Sequence, residues 1–197
     1  SDANEKYFYE PRKMIEKLGY FNEDANKLEE EVFRQVEWTM MDRGSLKDEE
    51  AVIAFCKRLP EHLHKGAKEL TLHWWNTIEL IPNMVDILRD LKNNGYKLYV
   101  LSNASHRFPQ YFYKTEAFPY FEDTVYSASL GLLKPEREIY KYLLDKHSLE
   151  ASECVFIDDT PSNVEGAIYT GIKGIVFKGN PKRLREELQA LGVNIPL

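Results

Sequence analysis

The first eighty residues carry apolar side chains at helical spacing. These positions recur every three or four residues, the period of one helix face, and the first such run is Leu28, Val32, Phe33, Val36 and Met40. No strand-like alternation is visible here. The pattern predicts a small bundle of helices over residues 1–80, in which Ser45 and Asp48 form a capping box at a helix start.

After residue 81 the pattern changes to short β-rich runs that alternate with helical stretches. The predicted strands are 97–102, 124–127, 154–157 and 174–177, and the helices that separate or follow them lie near 108–115, 136–147, 163–169 and 181–190. Such alternation is typical of a parallel sheet with helices on both faces. The sequence therefore predicts an α/β fold for residues 81–197.

Composition narrows the classes of partner. The 197 residues contain 26 Lys and Arg against 32 Asp and Glu, a formal charge of −6, and the charges are interspersed. The absence of a long basic run argues against nucleic acid or an anionic membrane as the main partner. No apolar stretch approaches the roughly 20 residues of a membrane helix. Two distant cysteines, Cys56 and Cys154, favour a reducing compartment, and a cytoplasmic location is predicted.

Polar residues lie at three of the predicted connections between a strand and the helix that follows it. Ser102 and Asn103 end the strand KLYVLS, Lys134 precedes a proline at a helix start, and Asp158 and Asp159 end the strand VFI. In open parallel sheets, ligands bind beyond the carboxyl ends of the strands. The hydroxyl, the lysine and the acid pair are therefore expected to meet at one edge of the sheet.

The acid pair poses an electrostatic problem, because adjacent carboxylates repel one another when they leave water. A divalent cation resolves that repulsion, and carboxylate oxygens are the ligands that Mg²⁺ prefers, with Asn163 as a nearby neutral donor. Each residue has a simpler explanation by itself, as a helix cap or a solvated surface lysine. Their occurrence together favours phosphate chemistry, with Mg²⁺ as the cofactor.

Three segments of the chain resemble the motifs of the haloacid dehalogenase (HAD) superfamily of phosphohydrolases. LYVLSNAS is similar to that family's second motif, GLLKPEREIY to its third and VFIDDTPSNVEGAIYTGIKGI to its fourth. The resemblance covers about 80–178 closely. It implies a Rossmann-like parallel sheet core over residues 81–197 and an all-helical cap domain over residues 1–80.

The resemblance also implies roles for the residues at the strand ends. Ser102 would hydrogen-bond the transferring phosphoryl group, and the backbone N–H of Asn103 would act as an oxyanion donor. Lys134 would pair with the nucleophile and the phosphate, while Asp158 and Asp159 would hold Mg²⁺. The reaction would pass through an aspartyl-phosphate. The doubled acid favours phosphate chemistry over carbon–halogen cleavage.

The cap selects the substrate in this family, so Arg43 in the segment DRG is a candidate substrate contact. It could meet a sugar hydroxyl or a second phosphate, or it could only cap a helix. The expected substrate is a small phosphorylated metabolite such as a sugar phosphate.

The family's first motif, an apolar strand that ends in the nucleophilic aspartate, has no match in the sequence. The chain opens at SDANEKYFYE, and the nucleophile is expected upstream of Ser1, so these 197 residues alone are expected to be inactive. A missing central strand would leave two strand edges unpaired, which makes a homo-oligomer or a strand-completing partner possible. The alternatives are a truncated or degenerate, non-catalytic HAD-like binding or scaffold protein, and a phosphomutase of the same fold.

Overall fold

The computed structural model of the protein describes residues 10–77 and 80–197. Residues 10–77, called the helical half below, contain helices and no strand, as the apolar period predicts. The α-helices of this half are α1 (Pro11–Lys17), α2 (Asn22–Leu28), α3 (Val36–Arg43), α4 (Asp48–Arg58) and α5 (His64–Leu72). A π-helical turn, Glu29–Phe33, continues α2, and a 3₁₀ turn, Trp74–Thr77, follows α5.

The helical half has an apolar core of its own. Its largest fully buried side chains include Phe55, Leu28 and Leu63, which the sequence places on the apolar faces. A Cβ atom at Gly66 would lie 2.7 Å from the ring of Tyr20, so a larger residue there would have to displace the ring. The core supports a separate helical unit, and its boundary at residue 80 stays a prediction.

The start of α4 differs from the predicted capping box. The backbone N–H of Lys47 donates to the Glu50 carboxylate at 3.0 Å, and the Ser45 hydroxyl donates to the Met40 carbonyl at 3.2 Å. Asp48 is 6% exposed and accepts a hydrogen bond from Ser105, 57 residues away. The predicted pairing of Ser45 with Asp48 is therefore wrong, because a distant hydroxyl offers Asp48 a partner inside the protein.

Residues 80–197, called the α/β half below, contain all four described strands. These are β1 (Tyr99–Ser102), β2 (Asp123–Tyr126), β3 (Val155–Asp158) and β4 (Lys173–Val176). The helices of this half are α6 (Met84–Asn93), α7 (Phe108–Phe112), α8 (Arg137–Lys146), α9 (Pro161–Tyr169) and α10 (Pro181–Ala190). Within the described residues, no helix has the length and apolar character needed to cross a membrane.

The strands form two parallel pairs. β1 pairs with β2, so that Ser102 lies opposite Tyr126, and β3 pairs with β4, so that Asp158 lies opposite Val176. Residues 10–77 and 80–197 contain no pairing between β1 and β3. The sheet is therefore divided into two halves, and each half has polar residues at the carboxyl end of one strand.

Helices cover both faces of the second strand pair. Val155 and Ile157 pack into a cluster with α6 and α10, whereas Phe156 packs into a cluster with α8 and α9. Successive side chains of a strand point to opposite faces, so this division places one helix pair on each face. The predicted parallel α/β fold is confirmed.

Candidate active site

Lys134 and Asp158 form an ion pair at the carboxyl end of β3. Lys134 Nζ lies 2.6 Å from Asp158 Oδ2, and both side chains are 8% exposed. Asp158 Oδ1 accepts hydrogen bonds from the Thr160 backbone N–H at 2.8 Å and from Asn163 Nδ2 at 3.1 Å. Both oxygens of this carboxylate therefore have partners within the protein, and the carboxylate is held in a fixed position.

The same lysine connects the two halves of the sheet. Lys134 Nζ also donates to the Leu101 carbonyl of β1 at 2.9 Å, so its ammonium group spans from β1 to Asp158 on β3. Asn103 fixes the lysine backbone from the β1 side. Its Nδ2 donates to the Lys134 carbonyl at 3.0 Å and its Oδ1 accepts from the Lys134 N–H at 2.8 Å. The sequence indicated Asn103 only as a backbone donor, and the structure shows that its side chain orients Lys134.

Close packing behind Lys134 keeps its loop against α9. A Cβ atom at Gly166 would lie 2.8 Å from Pro135 Cβ and 3.0 Å from the Tyr140 hydroxyl, so this approach requires glycine. The Tyr140 hydroxyl in turn donates to the Asn163 carbonyl at 2.6 Å. The third and fourth motif segments therefore pack directly on one another.

Asp159 is the less engaged of the two acids. Burial raises the pKa of its carboxyl group, and the neighbouring charge of Asp158 raises it further. Among the described residues, its side-chain hydrogen bond from outside the acid pair comes from the Thr160 hydroxyl and is long, 3.4 Å to Oδ1. A hard cation would relieve both effects, so Asp158 and Asp159 fit Mg²⁺ chemically. Within residues 10–77 and 80–197, no group of three or more His, Cys, Asp or Glu side chains could hold a metal ion.

Ser102 is the last residue of β1 and is partly buried. Its hydroxyl has no hydrogen-bond partner among the side chains and backbone groups that the structure describes. The adjacent Ala104 N–H donates to the Ser127 hydroxyl at 2.9 Å, which fixes the loop after β1 against the end of β2. The Ser102 hydroxyl can therefore accept or donate to a ligand at this edge.

Arg43 connects the helical half to the loop of Lys134. Its guanidinium group forms an ion pair with Glu136 and donates to the Gly131 carbonyl at 3.0 Å. Glu136 also accepts from the Leu133 N–H at 3.3 Å, so these contacts hold the segment that contains the lysine. The substrate contact proposed for Arg43 stays a prediction, and the guanidinium already has protein partners.

A profile of the haloacid dehalogenase-like hydrolase family matches residues 10–171. The chain belongs to this family. The match includes Ser102, Asn103, Lys134 and the acid pair. The family resemblance of the three motif segments is thereby confirmed.

The chain is similar to two curated phosphate-ester hydrolases. It is 26% identical over 158 residues to flavin mononucleotide hydrolase 1 of Arabidopsis thaliana, covering 80% of this chain and 63% of that protein. It is 24% identical over 163 residues to the sesquiterpene phosphatase AstK of Aspergillus oryzae, covering 79% of each. The chain thus spans less than two thirds of the length of the first relative.

A solved structure shares the fold. The HAD family enzyme bt-2542 of Bacteroides thetaiotaomicron, crystallised with magnesium and inorganic phosphate, superposes with a TM-score of 0.64 at 22% identity. The match covers 93% of this chain and 91% of that one. At this identity the similarity supports the fold alone.

Asp42 precedes Arg43 in the segment DRG, the expected region of substrate contacts, but no separate role was predicted for its carboxylate. The Ser127 hydroxyl donates to the Asp42 backbone carbonyl, so the end of α3 is attached to the loops after β1 and β2. Burial raises the pKa of the Asp42 carboxyl group to about 7, and Asp48 adds to the rise while the charge of Lys134 opposes it. Its place in the segment DRG is the signal that the sequence offers, because a short polar residue at the end of a helix is otherwise too common to single out.

Proposed function

We propose that the protein is a Mg²⁺-dependent phosphohydrolase that acts on a small phosphorylated metabolite, such as a sugar phosphate. The observation that carries the proposal is the buried Lys134–Asp158 ion pair at the carboxyl end of β3, with Asp159 beside it. Phosphoryl transfer needs positive charge around the transferring group, and these residues offer a fixed ammonium group and two carboxylates for a metal ion.

Each residue has a distinct task in this proposal. Asp158 and Asp159 would hold Mg²⁺, which when bound supplies positive charge to the phosphate oxygens. Lys134, held by Asn103, would direct its remaining N–H toward the phosphate. The Ser102 hydroxyl would donate to a phosphoryl oxygen. All of these groups are positioned before the substrate arrives, so little reorganisation is needed in the transition state.

A nucleophile completes the reaction, and the family resemblance assigns this role to an aspartate in the first motif. We propose that this aspartate lies on a strand between β1 and β3, the two strands that remain unpaired with each other in the described residues. Attack by its carboxylate on phosphorus would form an acyl phosphate and release the alcohol, and water would then release inorganic phosphate. The position of this aspartate upstream of Ser1 stays a prediction.

The absence of pairing between β1 and β3 in the described residues also supports a role for a further strand that pairs with both. This strand would come from this protein or from a partner. The Lys134 ammonium group reaches across from Leu101 to Asp158. A strand in that place would satisfy backbone groups on both edges and would bring its carboxyl end to the lysine.

The activities by which the two relatives are named support a phosphate monoester as the substrate. One relative is a flavin mononucleotide hydrolase and another a sesquiterpene phosphatase, which differ in the group that carries the phosphate. The part of the substrate that is common to both relatives is therefore the phosphate group. The cytoplasmic location stays a prediction.

The proposal is tested with the protein that the complete gene encodes. Release of inorganic phosphate is measured over a panel of sugar phosphates, nucleotides and p-nitrophenyl phosphate, with MgCl₂ and with EDTA. We expect turnover only with Mg²⁺, and loss of at least about 100-fold in kcat/KM for Lys134→Met. An absence of turnover over the whole panel would favour the non-catalytic binding protein. Transfer between two positions of a sugar would favour the phosphomutase.

A further inference from the structure

Tyr140 of α8 places a hydroxyl group inside an apolar core. Its side chain is 0% exposed and belongs to a cluster that contains Ile139 and Ala167. A phenylalanine would bury the same ring without the free-energy cost of removing a hydroxyl group from water. Buried polar groups are normally hydrogen-bonded, so the use of this hydroxyl is found in its partner.

The partner is a residue that holds one of the two acids. The Tyr140 hydroxyl donates to the backbone carbonyl of Asn163 at 2.6 Å, in the first turn of α9. The Asn163 side chain is buried, and its Nδ2 donates to Asp158 Oδ1 at 3.1 Å. A side chain has few preferred rotamers, so its direction follows from the position of its backbone. Tyr140 is therefore connected to the Asp158 carboxylate through a single residue.

The Tyr140 ring is itself held in place by close packing. It meets the ring of Phe156 edge-on, with the centroids 5.4 Å apart and an angle of 88° between the planes. Phe156 and Asp158 are two residues apart on β3, so their side chains lie on the same face of the strand. On the other side, a Cβ atom at Gly166 of α9 would lie 3.0 Å from the Tyr140 hydroxyl. The hydroxyl therefore ties the start of α9 to the strand that carries the acid.

We propose that Tyr140 is a positioning residue of the metal site, which acts through Asn163 on the Asp158 carboxylate and raises the affinity of the site for Mg²⁺. The inference deepens the proposed function and rests on it. Groups that orient a metal-binding carboxylate fix its geometry before the ion arrives, and their loss weakens binding. Thr160 and Lys134 bond the same carboxylate independently, so the loss of one contact should weaken the site without abolishing it.

The test measures the Kd for Mg²⁺ by isothermal titration calorimetry with MgCl₂, on the protein that the complete gene encodes. Wild type is compared with Tyr140→Phe, Asn163→Ala and the double variant. Tyr140→Phe keeps the ring that packs on Phe156 and removes only the hydroxyl. Thr71→Val is the matched control, because the Thr71 hydroxyl is also buried and donates to a backbone carbonyl, that of Ala67, at 2.7 Å in the helical half.

We expect the Kd for Mg²⁺ to rise about 5- to 20-fold in Tyr140→Phe and about 10- to 100-fold in Asn163→Ala. The double variant should bind Mg²⁺ no more weakly than Asn163→Ala, since the amide through which Tyr140 acts is already absent. Thr71→Val should lower the Tm of the protein, because it also loses a buried hydrogen bond, and should keep the wild-type Kd.

Three results would overturn the inference. The first is a wild-type Kd in Tyr140→Phe, and the second is a further rise of Kd in the double variant, which would exclude a route through Asn163. The third is an equal rise of Kd in Thr71→Val, which would assign the effect to general destabilisation. In all three cases a wild type that binds Mg²⁺ and releases phosphate leaves the proposed function intact. A wild type that binds no Mg²⁺ would overturn the metal dependence of the proposed function and the inference with it.

Discussion

Lys134 and Asp158 meet 2.6 Å apart with 8% of each side chain exposed, and the lysine is the only described group that bonds both β1 and β3 at this edge. Both charged groups are largely shielded from water, so each is stabilised mainly by the opposite charge of the other. The pair therefore contributes to the stability of the site as well as to its proposed chemistry.

Lys134→Met should lower the free energy of unfolding by about 3–5 kcal/mol, because Asp158 would keep a buried charge without its partner. Urea denaturation measures the change. Lys146→Met is the matched control, since Lys146 pairs with Asp123 at the same 2.6 Å but is 42% exposed. Its loss should be no more than about 1 kcal/mol. Equal losses in the two variants would contradict the role of burial.

Asn103→Ala should reduce kcat more than it reduces stability. The substitution removes both hydrogen bonds to the Lys134 backbone, worth roughly 1–3 kcal/mol together. A shift of the lysine by about 1 Å can cost about 100-fold in rate. Steady-state kinetics and urea denaturation are compared with those of Asn94→Ala, which loses an exposed bond to the Asp90 carbonyl and should be near neutral. An unchanged kcat would show that the side chain of Asn103 does not position the lysine.

Asp159→Asn should remove the stabilisation of the protein by Mg²⁺. Burial and the charge of Asp158 raise the pKa of Asp159, so its ionised form is unfavourable without a cation. The unfolded carboxyl loses its proton at lower pH than the folded one, so this penalty is absent in acid and grows as pH rises. In differential scanning calorimetry at pH 8, MgCl₂ should raise the Tm of wild type and leave that of the variant unchanged.

Asp159→Asn tests the metal site more cleanly than Asp158→Asn would. Asp158 is also the partner of Lys134, so its replacement changes the ion pair and the metal site together. A Tm of Asp159→Asn that still rises with MgCl₂ would remove Asp159 from the metal site.

Asp42→Asn should stabilise the protein at neutral and alkaline pH. The folded pKa of Asp42 is about 7 against an ordinary 3.8, so the wild type loses stability as pH rises from about 4 to 7. The difference corresponds to at most about 4 kcal/mol above pH 7. Among the described residues, the charge of Asp48 raises the Asp42 pKa and that of Lys134 lowers it, and both residues remain in the variant.

The measurement is the free energy of unfolding of wild type and Asp42→Asn at several values between pH 4 and 8. The two curves should coincide near pH 4 and separate as pH increases. Parallel curves over this range would show that the Asp42 carboxyl titrates normally in the folded protein.

The sequence predicted the strands well because their signal is local. Residues 154–157 were predicted and Val155–Asp158 is observed, a difference of one residue at each end. The strand ends then brought Ser102, Lys134 and Asp158 to one edge of the sheet, as parallel topology requires.

The interface between the two halves could not be predicted in the same way. Asp48 meets Ser105 over 57 residues, and Arg43 meets Glu136 over 93. Neither pair has a periodic or motif-like signature, so short-range patterns gave Asp48 to a helix cap and gave the Asp42 carboxylate no role of its own. Partners of this kind are defined by how two packed units dock, which the order of residues along one helix does not encode.

The ion pair between Arg43 and Glu136 makes the lysine loop sensitive to ionic strength. Its side chains are 40% and 33% exposed, so dissolved salt screens their attraction far more than that of the buried pair at Lys134. Glu136 lies two residues after Lys134 and also holds the Leu133 N–H. High salt should therefore weaken the ion pair between the helical half and the lysine loop, while the buried ion pair of Lys134 persists. The loop would then lose its attachment to the helical half at a salt concentration at which the protein is still folded.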